Sequence, residues 1–420
     1  MLIILYPLIP LALITGPFLG DLVLSIIAFY GLLSLRSNSL REKYLYNKYI
    51  ILIFLMYLIS LTSTFNSNDI FYSLESSLFY FRYPLFIYGG ACIFDKHPRL
   101  INYFPVILTL VMLLLFFDLI FELTFGFNTL GNSSPFKHIG RYSSFFGDEL
   151  IMGKYIALLF PYIFLLYFSK DHKKYIPKNL FIFFIPITLF IILLSGERTA
   201  LVYFVLFLCF LFFYNNLISK KHKLFLFILL SLLTITFLSV PSESKNRLLN
   251  STFNQIFDLG LNLSDKDFDM KLFSEIHELH YKTGINMYIN NKVLGIGPKM
   301  FRKECGKKEY KEELSHTSRK DYVNITNGCS THPHNYYIQI LAETGSLGFL
   351  TLLSIFFFII KDLVKAKNYN NFNSTKLILI ILFLNFFPFV PTNSFYNNWI
   401  SIILYLPFSF LLYSQKNLKN

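Results

Sequence analysis

Apolar residues along this chain come in long continuous runs that short polar links separate. A membrane-spanning helix needs about 20 apolar residues to cross a bilayer core of roughly 30 Å, and helices satisfy their own backbone hydrogen bonds in lipid. The pattern therefore predicts about twelve transmembrane helices. Their approximate bounds are 2–16, 18–35, 49–64, 77–93, 101–123, 149–168, 179–195, 198–217, 223–240, 336–360, 377–391 and 398–413. Because only Gly16-Pro17 separates the first two runs, a re-entrant hairpin is an alternative there.

Composition supports the same fold class. The chain has 420 residues, of which 54% are hydrophobic and 15% charged, and its mean hydropathy is +0.50. A soluble domain carries about a quarter charged residues, so we predict an all-α polytopic membrane protein. The sequence starts apolar, without a basic region or a small-residue cleavage site. Residues 1–10 are therefore interpreted as the start of a membrane helix rather than a removed signal peptide.

Basic residues collect in every second link between the apolar runs. These links are 36–48, 96–99, 170–178, 220–223 and 361–376, together with the C-terminal residues 416–419. Lysine and arginine favour cytoplasmic loops, so both termini are predicted to be cytoplasmic, in a bacterial-type inner membrane. This distribution also accounts for the net charge of +13. A nucleic-acid partner is therefore not expected.

The same alternation places three segments on the outer, periplasmic side: 124–148, 195–199 and 241–335. The predicted organisation is transmembrane helices 1–9 in residues 1–240, one large periplasmic loop in 241–335, and helices 10–12 in 336–420. Within the loop, apolar residues near helical spacing over 273–290 predict an amphipathic helix. A glycine-rich turn at 294–298 follows it.

Two arginines stand where outer loops meet membrane spans. Arg198 lies in the segment Ser-Gly-Glu-Arg-Thr-Ala at 195–200. At that position an arginine could bind phosphate with its bidentate fork or serve as a snorkelling anchor at the headgroups. Arg247 follows the ninth span, and its significance depends on whether it meets Arg198 in a shared cavity.

A histidine-rich segment precedes the tenth span. His332, His334 and Asn335 lie there, and Glu343 follows within the span. A histidine beside the membrane is suited to accept a proton from a sugar hydroxyl, because its pKa lies near ambient pH. Helix capping and metal binding are the alternatives. A metal site is not expected, because the segment from His277 to His280 lacks zincin spacing and no cysteines have zinc-finger spacing.

The four cysteines fall into two pairs with different surroundings. Cys92 and Cys209 lie inside apolar runs and are interpreted as small buried hydrophobic residues. Cys305 and Cys329 lie in the large polar loop, where they could form a disulfide in an oxidising compartment. Such a bond would close a loop of about 25 residues and contribute about 3 kcal/mol on a chain-entropy estimate. We expect it to fix the segment that carries His332 and His334.

Three stretches together resemble the O-antigen ligase and polymerase superfamily of membrane glycosyltransferases. His334-Asn335, followed after nine residues by Gly345 and then Gly348, looks like the ligase pattern His-Asn, nine residues, Gly-x-x-Gly. Residues 195–200 are similar to the family's Ser-Gly-x-Arg-Thr-Ala segment. Residues 278–301 look like the family's periplasmic helix and turn. The resemblance extends from about the sixth span to the tenth.

The resemblance implies a glycosyl transfer that needs no metal or nucleotide cofactor. The donor would be a glycan linked to polyprenyl diphosphate. Arg198 and Arg247 match the two arginines that bind the diphosphate, and His334 matches the residue that deprotonates the acceptor hydroxyl. His332, Asn335 and Glu343 are candidates for acceptor contact or site support.

The acceptor decides between the functions that the resemblance allows. A ligase transfers the glycan to a lipid A-core sugar, and we favour this function because of the His334 motif and the single long outer loop. A polymerase would use a second lipid-linked repeat, and a protein-glycosylating relative would use a protein. A transporter or flippase is disfavoured because the spans carry few charges and show no related halves. Arg141, Arg302 and Arg319 could meet anionic groups of the acceptor, but a solvated face is the expected role of each.

Overall fold

A computed structural model describes residues 2–168, 181–213, 220–249, 274–313, 327–367 and 374–417. The fold of these residues is all-helical, as predicted, and one isolated antiparallel bridge between Glu313 and Asn327 is the β-structure they contain. Arg319, Phe273 and the basic link 170–178 lie outside the described residues. The α-helices are numbered in chain order over the described residues. They are α1 (Ile9–Ile14), α2 (Pro17–Ser34), α3 (Asn38–Leu40), α4 (Lys48–Thr64), α5 (Ile70–Ser77), α6 (Arg82–Lys96), α7 (Leu100–Phe125), α8 (Met152–Leu159), α9 (Leu165–Phe168), α10 (Phe181–Ser195), α11 (Arg198–Phe213), α12 (Lys220–Ser239), α13 (Ser242–Leu248), α14 (Glu275–Asn290), α15 (Phe301–Glu304), α16 (Tyr336–Lys367), α17 (Ser374–Asn385) and α18 (Asn398–Asn417).

Three helices of the described residues are long and apolar enough to cross a membrane: α2, α7 and α16. A fourth candidate joins residues 38–45 to α4 across a bend of 84°. Five further apolar helices are 10–17 residues long: Met152–Phe164, Phe183–Ser195, Arg198–Leu211, Ile228–Ser239 and Ser374–Asn385. The prediction of about twelve spans therefore stays a prediction, with three to four of them matched by helices of full length.

Long helices such as α7 are apolar on every side. Leu108, Met112 and Leu115 are buried against the protein, whereas Leu110 and Phe117 are more than half exposed. A helix with apolar residues on its outer face requires an apolar solvent. Together with the apolar helices described above, this surface is that of an integral membrane protein.

The centre of the helical assembly is α18, whose residues Ser401–Ser414 are buried throughout. It packs against α6, which in turn packs closely on α2. A Cβ on Gly31 of α2 would lie 2.3 Å from the Leu85 carbonyl oxygen, so glycine is what allows these two helices to approach.

The tenth predicted span is interrupted where the sequence suggested a continuous helix. Gly345 breaks α16 with φ 65° and ψ −159°, a conformation that is open to glycine alone. The turn that follows α14 docks on this break: Ile296 N–H donates to the Ala342 carbonyl (3.0 Å) and Gly297 N–H to the Glu343 carbonyl (2.9 Å). The backbone groups released by the break thereby regain partners, and α14 is held against the start of α16.

Candidate functional site

The link from Ser195 to Arg198 is fixed by a buried carboxylate. Glu197 accepts hydrogen bonds from the Gly153 N–H (2.7 Å) and the Lys154 N–H (3.2 Å), which belong to the first turn of α8. The Glu197 side chain therefore caps the start of α8, while the residue itself lies directly before the start of α11. Burial raises the pKa of the Glu197 carboxyl, and the nearby charges of Lys154 and Arg141 oppose that shift.

Arg247 meets this link from the other side. It lies on α13, and its Nε donates to the Gly196 carbonyl oxygen at 3.2 Å. Gly196 has φ 61°, and a Cβ there would lie 3.2 Å from the Arg247 Cδ. The structure thus brings Arg247 to the residues that immediately precede Arg198, and a cavity shared by the two side chains stays a prediction.

A third arginine lies in the same place, and here the sequence-based expectation was wrong. Arg141 was expected on a solvated face, but it is half-buried, and its Cγ would lie 3.1 Å from a Cβ on Gly196. Burial and the neighbouring charges of Arg247 and Arg198 lower the pKa of Arg141 to about 10. Its placement depends on a long-range contact between Gly140 and Ser244, which no local sequence pattern reveals.

Four histidine rings form a second cluster. The centroid of the His334 ring lies 4.1 Å from that of His332, 5.4 Å from that of His280 and 5.5 Å from that of His277. His334 has φ 54°, which is uncommon for a residue with a side chain, and its carbonyl accepts the Thr392 N–H at 2.7 Å. A strained backbone held by surrounding contacts is frequent at functional sites.

Hydrogen bonds to backbone carbonyls fix the tautomers of two of these rings. The Nε2 of His332 lies 3.3 Å from the Thr392 carbonyl oxygen, and the Nδ1 of His280 lies 2.9 Å from that of Gly328. Each of these nitrogens must be protonated to donate, which leaves the other nitrogen of each neutral ring with a lone pair.

The histidine cluster resists protonation. Burial is the main cause, and it lowers the pKa of His277 and of His332 to about 4 and that of His334 to about 2. The other rings and Lys154 add repulsion at His334, and Arg198 and Lys154 do so at His277. All these imidazoles are therefore neutral near pH 7.

Lys154 lies between the two clusters. It is buried, and its Nζ donates to Asn393 Oδ1 (2.6 Å) and to the Pro391 carbonyl (3.3 Å). Its charge acts on Glu197 beside the arginines and on His277, His332 and His334. The arginines and the histidines therefore belong to one electrostatic environment.

Asn335 and Glu343 have supporting positions. Asn335 caps α16, since its Oδ1 accepts the N–H groups of Tyr337 (2.9 Å) and Ile338 (3.2 Å). Glu343 is fully buried and accepts the Phe301 N–H at 3.1 Å, which joins α16 to α15. Sequence reasoning named both residues, but it did not select Lys154 or Glu197. It considered His277 and His280 only as metal ligands.

The segment that leads to the histidines is attached to α15. Cys305 and Cys329 are bonded through sulfur, with their Cα atoms 5.1 Å apart. Next to this contact, the Gly328 N–H donates to the Glu312 carbonyl at 2.8 Å, and the Gly328 carbonyl accepts from His280. Within the described residues, no three side chains among His, Cys, Asp and Glu are arranged to hold a metal ion.

An arginine group and a histidine group thus lie at the ends of apolar helices in this membrane protein. Residues 181–353 match the family model of O-antigen ligases. This match confirms the resemblance seen in the sequence over residues 181–353. No curated protein matches the chain significantly.

Proposed function

We propose that this protein is an O-antigen ligase that transfers a glycan from polyprenyl diphosphate to a lipid A-core hydroxyl. The reaction would take place at the periplasmic face of the bacterial inner membrane, with both termini cytoplasmic. The observation that carries the proposal is the position of Arg198, Arg247 and His334. All three lie in the matched region, and Lys154 connects their surroundings.

In the proposed reaction, the acceptor oxygen attacks the anomeric carbon and the bond from that carbon to the phosphate oxygen breaks. The electron pair leaves with polyprenyl diphosphate, and the acceptor proton passes to His334. Arg198 and Arg247 would stabilise the negative charge of the leaving diphosphate with charge-assisted hydrogen bonds. The step balances without a metal or a nucleotide.

The depressed pKa of His334 suits a base that starts neutral. A neutral imidazole always has a lone pair to accept the proton, but a group with so low a pKa is a weak base. A diphosphate bound near Lys154 would offset its positive charge, which contributes to the lowered pKa of His334, and would therefore raise that pKa. Donor binding would thus increase the basicity of His334 when the acceptor is present.

The remaining predicted residues would support this geometry. The hydrogen bond from His332 to the Thr392 carbonyl holds it beside His334, and Asn335 fixes the start of α16. Glu343 joins α16 to α15. The bond between Cys305 and Cys329 would hold the segment with the histidines near α14.

The experiment in cells is a lipopolysaccharide gel from a strain that lacks this protein, with its carrier-linked glycan measured in parallel. Loss of the whole ladder with long glycan accumulating on the carrier would support a ligase. A surviving band of core plus one repeat would instead identify a polymerase. An unchanged ladder would overturn both assignments and direct attention to other acceptors.

With purified protein, we expect His334→Ala and Arg198→Ala to lower glycosyl transfer by at least about 100-fold, because each removes a group that acts in the reaction. Membrane insertion and melting temperature should stay close to those of the wild type. The matched control is His138→Ala, since His138 is exposed in another outer loop. Full activity in both site variants would contradict the site assignment.

For the disulfide, the Cys305→Ser/Cys329→Ser double variant should lower the apparent stability by about 3 kcal/mol. It should also reduce transfer, because the histidine segment loses its attachment to α15. Thiol labelling of denatured protein with and without a reductant gives the direct readout. Equal labelling in both conditions would show that the cysteines are not bonded.

A further inference from the structure

The outer loop between α7 and α8 is folded onto the end of α7 by two buried carboxylates. Asp118 accepts the Thr129 N–H (2.8 Å) and the Thr129 hydroxyl (2.6 Å), and Glu122 accepts the Ser134 N–H (2.7 Å). Both acidic residues are buried near the outer end of their helix. This loop is therefore a defined part of the structure rather than a loose connection.

Further contacts hold the loop against the arginine site. The Tyr142 N–H donates to the Leu194 carbonyl at 2.9 Å, and the Ser244 hydroxyl donates to the Gly140 carbonyl at 3.0 Å. Gly140 has φ 75°, and a Cβ there would lie 2.4 Å from the Ser244 nitrogen, so the close approach requires glycine. Arg141, between these two anchored residues, is held between α10 and α13.

The environment of Arg141 is unusual for an arginine with a purely structural role. Its Nη2 donates to the Leu150 carbonyl at 3.3 Å, while its Nε is buried without a hydrogen-bond partner among the described residues. Arg247 and Arg198 lie close enough for their charges to oppose its own, and the one carboxylate that favours its charge, Glu197, is engaged by two backbone N–H groups. A guanidinium group that lies beside like charges and has an unused buried donor, as Arg141 does, is energetically unfavourable until an anion binds.

We propose that Arg141 is a third diphosphate-binding residue that acts together with Arg198 and Arg247; this inference rests on the proposed function. A diphosphate diester carries on the order of two negative charges, and the released polyprenyl diphosphate carries up to about three. A third guanidinium matches the charge that develops when the glycosyl bond breaks. Arg141 therefore favours the leaving group more than the bound donor.

The test measures binding of polyprenyl diphosphate and of polyprenyl monophosphate to the purified, full-length protein. Arg141→Gln should weaken diphosphate binding about 10–100-fold, and it should change monophosphate binding less than about threefold, because two arginines suffice for one phosphate. The diphosphate affinity of Arg141→Lys should fall between those of Arg141→Gln and the wild type, because lysine keeps the charge but lacks the bidentate hydrogen bonding of the guanidinium group. Arg99→Gln is the matched control, because Arg99 is exposed at the start of α7, away from this site.

The melting temperature of the ligand-free protein separates binding from a structural role. Removal of one of three repelling charges should leave it unchanged or raise it by about 2 °C. A lowered melting temperature with unchanged discrimination between the two lipids would overturn the inference. So would equal diphosphate affinity in Arg141→Gln and the wild type. If the wild type itself does not bind polyprenyl diphosphate, the proposed function fails, and the inference fails with it.

Discussion

Two groups of charged residues at different helix ends are built in opposite ways. In the first group, lysines form ion pairs with carboxylates: Lys43 with Asp95 at 2.5 Å and Lys48 with Asp362 at 2.7 Å. In the second, Arg141 lies among the charges of other arginines, and the nearby Glu197 accepts backbone N–H groups. The first arrangement joins helices through charge, whereas the second concentrates positive charge beside a helix junction.

What holds the second group together is backbone contact. A Cβ on Gly140 would lie 2.4 Å from the Ser244 nitrogen, and one on Gly196 would lie 2.5 Å from the Gly140 carbonyl oxygen. The break in α16 has a similar contact, because a Cβ on Gly345 would lie 2.3 Å from the Val293 carbonyl oxygen. Glycine makes such contacts possible because it has no side chain and tolerates positive φ. In this group, backbone contacts rather than ion pairs with carboxylates therefore supply much of the cohesion.

The strongest test of this comparison removes one positive charge from each group. Arg247→Met should lower glycosyl transfer by at least about 100-fold, because it removes one donor to the leaving diphosphate, and its loss of the hydrogen bond to the Gly196 carbonyl should lower stability by about 1 kcal/mol. Lys48→Met should lower stability by a similar amount, because it removes the ion pair with Asp362, but activity per folded molecule should stay within about threefold. Transfer assays and melting curves on both variants give the comparison. If Lys48→Met lost as much activity as Arg247→Met, the distinction between the two groups would be wrong.

The sequence predicted the features that depend on continuous apolar runs. The expected span at 101–123 is the helix Leu100–Phe125, and the expected break near 195–199 separates the helices ending at Ser195 and starting at Arg198. It did not predict the position of Arg141, because the contact from Gly140 to Ser244 joins residues that are distant in sequence. It also missed the break at Gly345, since an isolated glycine in an apolar run does not reveal that a distant turn will supply its hydrogen bonds.

The second test concerns the backbone contact itself. Gly345→Ala should destabilise the protein by about 3 kcal/mol, because it combines a disfavoured backbone conformation with a Cβ that would lie 2.3 Å from the Val293 carbonyl oxygen. Gly131→Ala is the matched control: Gly131 also has positive φ, at 83°, but no atom lies within 4 Å of its Cβ position. It should cost only about 1 kcal/mol. Melting curves that showed equal losses would mean that the docking of the turn on α16 adds nothing to stability.

The third test concerns the pH response of the histidine cluster. His277 has a pKa of about 4 in the folded protein, against roughly 6.5 in an unfolded chain. The unfolded state therefore binds the proton first, so stability is fully present above pH 6.5 and falls as the pH drops from there toward about 4. Each such histidine contributes a slope of about 1.4 kcal/mol per pH unit.

His277→Gln should reduce the loss of apparent melting temperature between pH 6.5 and 4.5, whereas His138→Gln should follow the wild type, because His138 is exposed. Identical pH profiles for His277→Gln and the wild type would show that burial does not lower the pKa of His277 in the folded protein.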